Sequence, residues 1–344
     1  GRHALVSDAL KQRAENATRP TDWCYVANYQ NPHTPHVLQV PAGTARSLRA
    51  DLQKLVEDLL NAIPAAFQGD EYQQRHQKIY QDVKAKEEQA AEELNTLAAE
   101  RHIALVRGTT GFTLTPEKKG KTLSPEEFDA LPEGEKQQFM ESLDELKELL
   151  QATMKKAPEW QHEIQDRVRS LDREIMTLTV SQFLNELEER YREYQQILKF
   201  LSELKADMVE TVDQFRRLDV NGEQSVTADD PVFNRYKLNI LVDNAETHGA
   251  PIIFEDNPTY QNLIGRVEHI AHMGTLQTDF TLIKAGAFHR ANGGYLILDA
   301  EKVLSNPYAW DGLKRVLHAR EIRIQSLERQ LSLVSTISLE PQPI

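Results

Sequence analysis

The chain has 344 residues, 40% of them hydrophobic and 27% charged, with a net charge of −13. That length and balance suit two or three soluble, helix-rich bodies, and no apolar run approaches the ~20 residues of a membrane span. Such acidity weighs against nucleic acid as a partner, because neutralising phosphates takes clustered Lys and Arg, and the lone Cys24 excludes an intramolecular disulfide and a cysteine-based zinc site. The start, Gly1-Arg2-His3-Ala4-Leu5-Val6, has neither an initiator Met nor a signal-type apolar stretch, so the cytoplasm is the expected compartment.

Residues 3–14 read as a helix. Trp23 to Ala27 is a short apolar and aromatic run of the kind that forms a buried strand. Asn31 to Pro35 is a loop by its prolines, and Val37 to Val40 a further strand. From Gly43 onward, Leu48, Leu52, Leu55, Val56, Leu59 and Leu60 mark an amphipathic helix.

The stretch from about 69 to 216 is mostly long helix. Ile79, Val83, Ala90, Leu94 and Leu97 line one side of a helix over about 70–100. Ile164, Val168, Leu171, Ile175 and Leu178 form a second stripe, and Leu184, Leu187, Tyr191, Tyr194, Leu198 and Leu201 a third. Steps of three and four are those of helices packed along a narrow seam. Between them Ile103 to Thr115 alternates and holds Gly108 and Gly111, which predicts a β-hairpin. Ser124-Pro125-Glu126-Glu127 is a helix start, with a Ser cap, Pro at the first position and Glu three residues on. Leu131 to Gly134 breaks that helix, and Pro158 marks another restart.

From about 232 the texture returns to α/β. A strand or a helix-to-strand connection is expected at Leu238–Val242, and a strand at Pro251–Glu255, with a turn at Asn257-Pro258. Gly294 to Asp299 is a strand ending in an acid, a helix follows to about His318, Glu321 to Ser326 alternates as a strand, and Leu331 to Leu339 is β-rich. The simplest organisation is one α/β domain, made of 1–68 and 232–344, interrupted by a helical insertion over 69–231 with a small hairpin near 103–115.

The stretch Gly286 to Glu301 carries the most chemistry. A buried strand of a parallel sheet that ends in Asp is a Walker B pattern. It delivers the carboxylate of Asp299 to the sheet's carboxyl edge, where it can hold a water of Mg²⁺ beside nucleotide phosphates. His289-Arg290-Ala291-Asn292-Gly293-Gly294 before that strand resembles the segment leading into Walker B in archaeal-type Lon proteases and their AAA+ relatives. Trp310 to Leu317 and then Arg320 to Ile324 resemble the helix and strand that follow it there, and Thr336 to Ile344 the approach to the sensor-1 strand. Asn257 to His269, and Asp22 to Tyr29 followed by Pro32-His33, resemble the Lon-related subfamily with a long helical insertion. The resemblance spans both α/β segments. The insertion matches in character and position only.

The resemblance implies an AAA+, P-loop NTPase-like parallel-sheet core, incomplete in this chain and interrupted by a long coiled-coil-like arm. It implies ATP and Mg²⁺ as cofactors, protein substrates, and a homo-oligomeric ring, a hexamer, that threads substrates toward a serine protease domain with a Ser–Lys pair. No segment resembles that domain, no Gly-x-Ser-x-Gly elbow occurs, and the chain is expected to end before sensor 1. Gly1, Arg2 and His3 stand where a Walker A loop would close with Gly-Lys-Ser/Thr, which would put Arg2 near the phosphates. They depart from that motif, since Arg is not equivalent to Lys and His lacks the hydroxyl.

A second departure is Ala300, at the position of the Glu that orients the attacking water. Glu301 comes one residue later. On a strand it would point the other way, whereas a chain that has already turned would let it reach the site as the catalytic partner of Asp299. The interval from His269 to Phe280 is where AAA+ unfoldases carry a pore loop, with Met273 and Phe280 as gripping candidates. Phe280, with Leu282 and Ile283, alternatively packs in the core. His269 and His272, three apart, would be a metal pair on a helix, though no third ligand is near. Two other functional classes stay open. One is a non-hydrolysing interaction protein on a degenerate core, to which Ala300 points. The other is a DNA-related AAA+ motor, against which the net charge of −13 weighs.

Overall fold

The computed structural model describes residues 2–108, 111–118, 120–217, 226–272, 275–325 and 339–344. Two compact units divide the chain, Gly1–Ala65 with Met176–Ile344, and Ala66–Ile175. Of the residues placed in the insertion on sequence, the described ones over 176–217 and 226–231 fall in the unit that holds the α/β segments.

The larger unit opens with α1 (Arg2–Glu15), β1 (Asp22–Val26), β2 (His36–Val40) and α2 (Thr44–Gln68). β1 and β2 pair antiparallel from Asp22↔Val40 to Val26↔His36. The nine residues between them suffice for a hairpin but not for the dozen or more that a parallel crossover takes. Leu48, Leu52, Leu55, Leu59 and Ile63 give α2 its buried face. Its first turn is held from outside the helix. Asp22, fully buried, accepts the N–H of Gly43 at 2.8 Å and of Ala45 at 3.3 Å through Oδ2, and the N–H of Asn244 at 2.7 Å through Oδ1. The carboxylate thus takes up helix-start donors that the helix itself cannot satisfy.

The smaller unit contains α3 (Asp70–Glu100), β3 (Ile103–Gly108), β4 (Gly111–Lys118), β5 (Lys121–Thr122), α4 (Pro125–Asp129) and the first part of α5 (Glu133–Arg190). α3 and α5 run antiparallel, and polar rungs fix their register. Tyr72 donates to Asp172 at 2.6 Å, Arg167 pairs with Asp82 at 2.8 Å, Lys86 with Glu163 at 2.7 Å, and Arg101 with Glu145. The predicted hairpin is present and gains a third short strand, in the order β3-β4-β5. Ser124 caps α4 in a capping box with Glu127, as its sequence predicts.

Pro158 does not restart a helix, because α5 runs through it. Pro158 and Met154 are both exposed, so water can reach the carbonyl that the missing N–H leaves free. The helical stripes are also shorter than expected. Leu178 is 60% exposed, Ala98 rather than Leu97 is buried on α3, and the stripe from Leu184 to Leu201 is broken by a turn at Tyr191–Tyr194.

In the larger unit the chain continues through α6 (Gln195–Glu210), α7 (Val212–Phe215), a 3-10 turn at Pro231–Tyr236 and β6 (Asn239–Val242). Ile197, Phe200, Leu201, Leu204 and Met208 are the buried face of α6, and Tyr191 donates to Asp51 of α2 at 2.6 Å. This apolar face is why α6 joins the larger unit. Then follow β7 (Ile252–Glu255), α8 (Tyr260–Ile264), β8 (Arg266–Val267), β9 (Ile270–His272), β10 (Thr275–Gln277), a 3-10 turn at Phe280–Leu282, β11 (Ile283–Lys284), α9 (Ala287–Arg290), β12 (Tyr295–Leu298), α10 (Ala300–Ser305) and α11 (Ala309–Ala319).

Sheet β2-β1-β6 is antiparallel throughout, as are the ribbons β9–β10 and β8–β11. Among the described residues the expected parallel core is one pair, β7 with β12. Glu321 to Gln325 forms no regular strand. Within it Ile322 exchanges both backbone hydrogen bonds with Ile344, at 2.7 and 3.2 Å. The predicted β-rich stretch 331–338, and Ser326, lie outside the described residues.

Candidate functional site

The carboxyl edge of the β7–β12 pair brings the Walker-like residues together, and local sequence sets its geometry. Register runs from Tyr295↔Ile252 to Leu298↔Glu255. The first bond of that register, Tyr295 N–H to the Pro251 carbonyl, is 2.8 Å long. It requires Gly294, where a Cβ would lie 2.1 Å from the same Pro251 oxygen, and Gly293 beside it has φ +79°. Upstream, Gly286 N–H donates to His289 Nδ1 at 3.1 Å, and the ring is wholly buried. Burial pushes the imidazole down to about 3, so it is neutral with its proton on Nε2, an atom that has no partner. Arg290 pairs with Glu255 at 2.9 Å. The segment that carries the family resemblance is thus, in this fold, the bracket that sets β12 alongside β7.

Ile253, Leu296 and Leu298 pack with Tyr260, Leu263, Ile264 and Val303. Beyond Leu298 the chain turns at once. Asp299 is the N-cap of α10, and its Oδ1 accepts the N–H of Glu301 at 2.9 Å and of Lys302 at 3.4 Å. Its Oδ2 has no partner among the described residues. Ala300 is already helical, so strand alternation does not govern Glu301, which lies exposed in the first turn of α10. Lys302 bonds to Asp256 at 2.5 Å, and that hydrogen bond raises its pKa. The corner therefore gathers Glu255, Asp256, Asp299 and Glu301 with Arg290 and Lys302.

One free oxygen on Asp299 suits an ion that keeps its own water shell, as Mg²⁺ does. No three His, Cys, Asp or Glu converge as a metal-ligating set among the described residues, and these residues form no Gly-rich cradle of N–H groups. The fit to Mg·ATP therefore covers the acidic corner alone. Arg2 and His3 open α1, but their side chains, and all of Gly1 and Met273, lie outside the described residues.

Phe280 is corrected. It is 6% exposed and packs with Tyr25, Leu241, Ile283 and Ile324, so it is a core residue and not a gripping one. His269 lies just before β9 and His272 ends it, so the pair is not on a helix, which removes the helical spacing on which a metal pair was premised. The ribbon shows what sequence reasoning missed. Ile270 and Leu276 are 57% and 60% exposed, and the pairing Ala271↔Leu276 puts them on opposite faces. Strands of three residues are too short for alternation to reveal.

Residues 248–344, which contain this whole corner and the ribbon, match the family model of the LonB-like AAA domain. Residues 22–55 match that of the Lon-like LonC helical domain. Together the matches support a Lon-related protein. No curated protein matches the chain. The second match falls on β1, β2 and the first part of α2, beginning at the buried Asp22, and the first implies nucleotide binding. Among the described residues no helix is long and apolar enough to cross a membrane.

Proposed function

We propose that the chain supplies the ATPase region of a Lon-type ATP-dependent protease, a motor that feeds protein substrates to a Ser–Lys peptidase domain within a homohexameric ring. The observation that carries this reading is Asp299, at the carboxyl edge of a parallel strand pair inside the stretch that matches a LonB-like AAA domain. AAA domains typically assemble as rings. In this reading Oδ2 of Asp299 holds a water of Mg²⁺, Glu301 serves from the first turn of α10 in place of the missing Glu at 300, and Ile270 and Leu276 grip the substrate chain. ATP and Mg²⁺ supply the driving hydrolysis when bound.

The test is degradation of an unfolded protein by the full-length protein, with and without ATP. Asp299→Ser keeps a helix cap while removing the carboxylate, so its effect separates chemistry from folding. ATP-stimulated cleavage that falls at least tenfold in Asp299→Ser, with the melting temperature held, supports the motor. Cleavage indifferent to ATP and to the substitution overturns it. A second reading, a non-hydrolysing interaction protein, is favoured by Ala300 and by the engagement of Asp299 Oδ1 in capping. Absence of both ATP turnover and cleavage selects that one.

A further inference from the structure

The unit Ala66–Ile175 holds a cavity of about 610 Å³ where the end of α3, strand β4 and the first turns of α5 meet. Its size lies within the range of sites that take a small molecule or a short peptide stretch, and its wall has an unusual charge balance. Both strong cations on it are already paired, Lys118 with Glu135 at 2.6 Å and Arg101 with Glu145. Two more carboxylates line it. Glu117 has no side-chain partner among the described residues, and Glu141 accepts only from Gln137 Nε2, at 3.3 Å, through one oxygen. Four glutamates thus face one arginine, one lysine and the imidazole of His102.

Phe139 reaches the cavity from the small core formed by Leu94, Ala98, Ile103 and Leu146, and Ser142 adds a hydroxyl. Carboxylates with spare oxygens beside an aromatic ring form an environment for an ammonium or guanidinium group. An anion would meet cations already neutralised. One basic side chain fills only part of 610 Å³, so the space also admits the backbone that bears it and a neighbouring residue. From this geometry we propose that the cavity binds an extended basic segment of a polypeptide, seating a Lys or Arg side chain between Glu117 and Glu141 over Phe139. The assignment does not depend on the ATPase reading.

The experiment titrates the full chain into a fluorescently labelled peptide of alternating Lys, Arg and Ser, followed by anisotropy at 50 and 200 mM NaCl. An acidic peptide of equal length and spermidine serve as competitors. The double variant E117Q/E141Q keeps side-chain size and removes two charges. E92Q/E159Q makes the same charge change at exposed positions outside the cavity. Expected is at least tenfold weaker binding for E117Q/E141Q with an unchanged melting temperature, and less than twofold for E92Q/E159Q. Equal weakening in both double variants assigns the effect to overall acidity and overturns the site. So does displacement by the acidic peptide, and so does absence of binding at 1 mM chain. Displacement by spermidine at the concentration at which unlabelled basic peptide displaces overturns the polypeptide as its occupant.

Discussion

Replacing Asp22 with Ala tests whether one buried carboxylate holds together the start of α2, the first strand and the turn after β6. The side chain is fully buried and accepts N–H groups at 2.7 and 2.8 Å, with a third at 3.3 Å. Hydrogen bonds to a charged group contribute about 1.5–3 kcal/mol each. The two short ones therefore account for about 3–6 kcal/mol, and the long one adds little. Removing the carboxylate also relieves its desolvation cost, of several kcal/mol per buried ion, but it strands three N–H groups, two of them in buried residues. The net expectation is a loss of about 3–4 kcal/mol. With a urea dependence of about 3 kcal/mol/M, the unfolding midpoint falls by about 1 M. Asp22→Asn keeps the volume and one carbonyl oxygen but turns an amide donor toward N–H donors, so it loses about 2–3 kcal/mol. Trp23, the next residue of β1, reports the transition by fluorescence, and hydrogen exchange reads the amides of Gly43, Ala45 and Asn244 directly. A midpoint shift below about 0.3 M in Asp22→Ala, with those three amides still protected, refutes the reasoning.

Two further outcomes follow from the β7–β12 corner. His289 has its pKa pushed down to about 3 by burial, below the ordinary 6.5 of an unfolded chain. The native state then binds fewer protons than the unfolded one between those values, so the contribution is complete above pH 6.5 and is lost as pH falls toward 3. Between pH 7.5 and 5.0 the loss is about 2 kcal/mol. It is measured as the difference in pH dependence of urea midpoints between wild type and His289→Gln, and equal slopes for the two proteins contradict it. Gly294→Ala places a methyl carbon 2.1 Å from the Pro251 oxygen and forces β12 off its first hydrogen bond to β7. A loss of about 2–3 kcal/mol and faster exchange at the Tyr295 amide are expected, and an amide as protected as in wild type rules the mechanism out.

Much of the local structure is legible because each cue acts over a few residues. The Ser124 cap, the hairpin from Ile103, the strand from Ile252 to Glu255 and the amphipathic face of α2 all form where their patterns fall. Misread features depend on partners far along the chain. Phe280 stays open between a gripping and a core reading until Tyr25, Leu241 and Ile324 close around it. Pro158 reads as a break, but its exposed side of α5 lets water take up the orphaned carbonyl. Ile270 and Leu276 carry no pattern at all, since only the ribbon's exposure on both faces marks them.

The candidate site divides the same way. Sequence alone determined that a short apolar strand ends at Asp299 with Ala300 after it, and that glycines precede it, because these are facts of order and residue type. Tertiary structure decided the rest. It turned the chain into α10 directly after Asp299, which commits one carboxylate oxygen to capping and frees Glu301 from strand alternation. It made His289-Arg290-Ala291-Asn292-Gly293-Gly294 a bracket for β7, and it set β1 and β2 antiparallel because nine intervening residues cannot make a crossover. Hydrophobic period and capping residues act within a turn or two of backbone. Strand partners, the closeness of glycine to a distant carbonyl and the burial of an imidazole exist only once segments some tens of residues apart have packed.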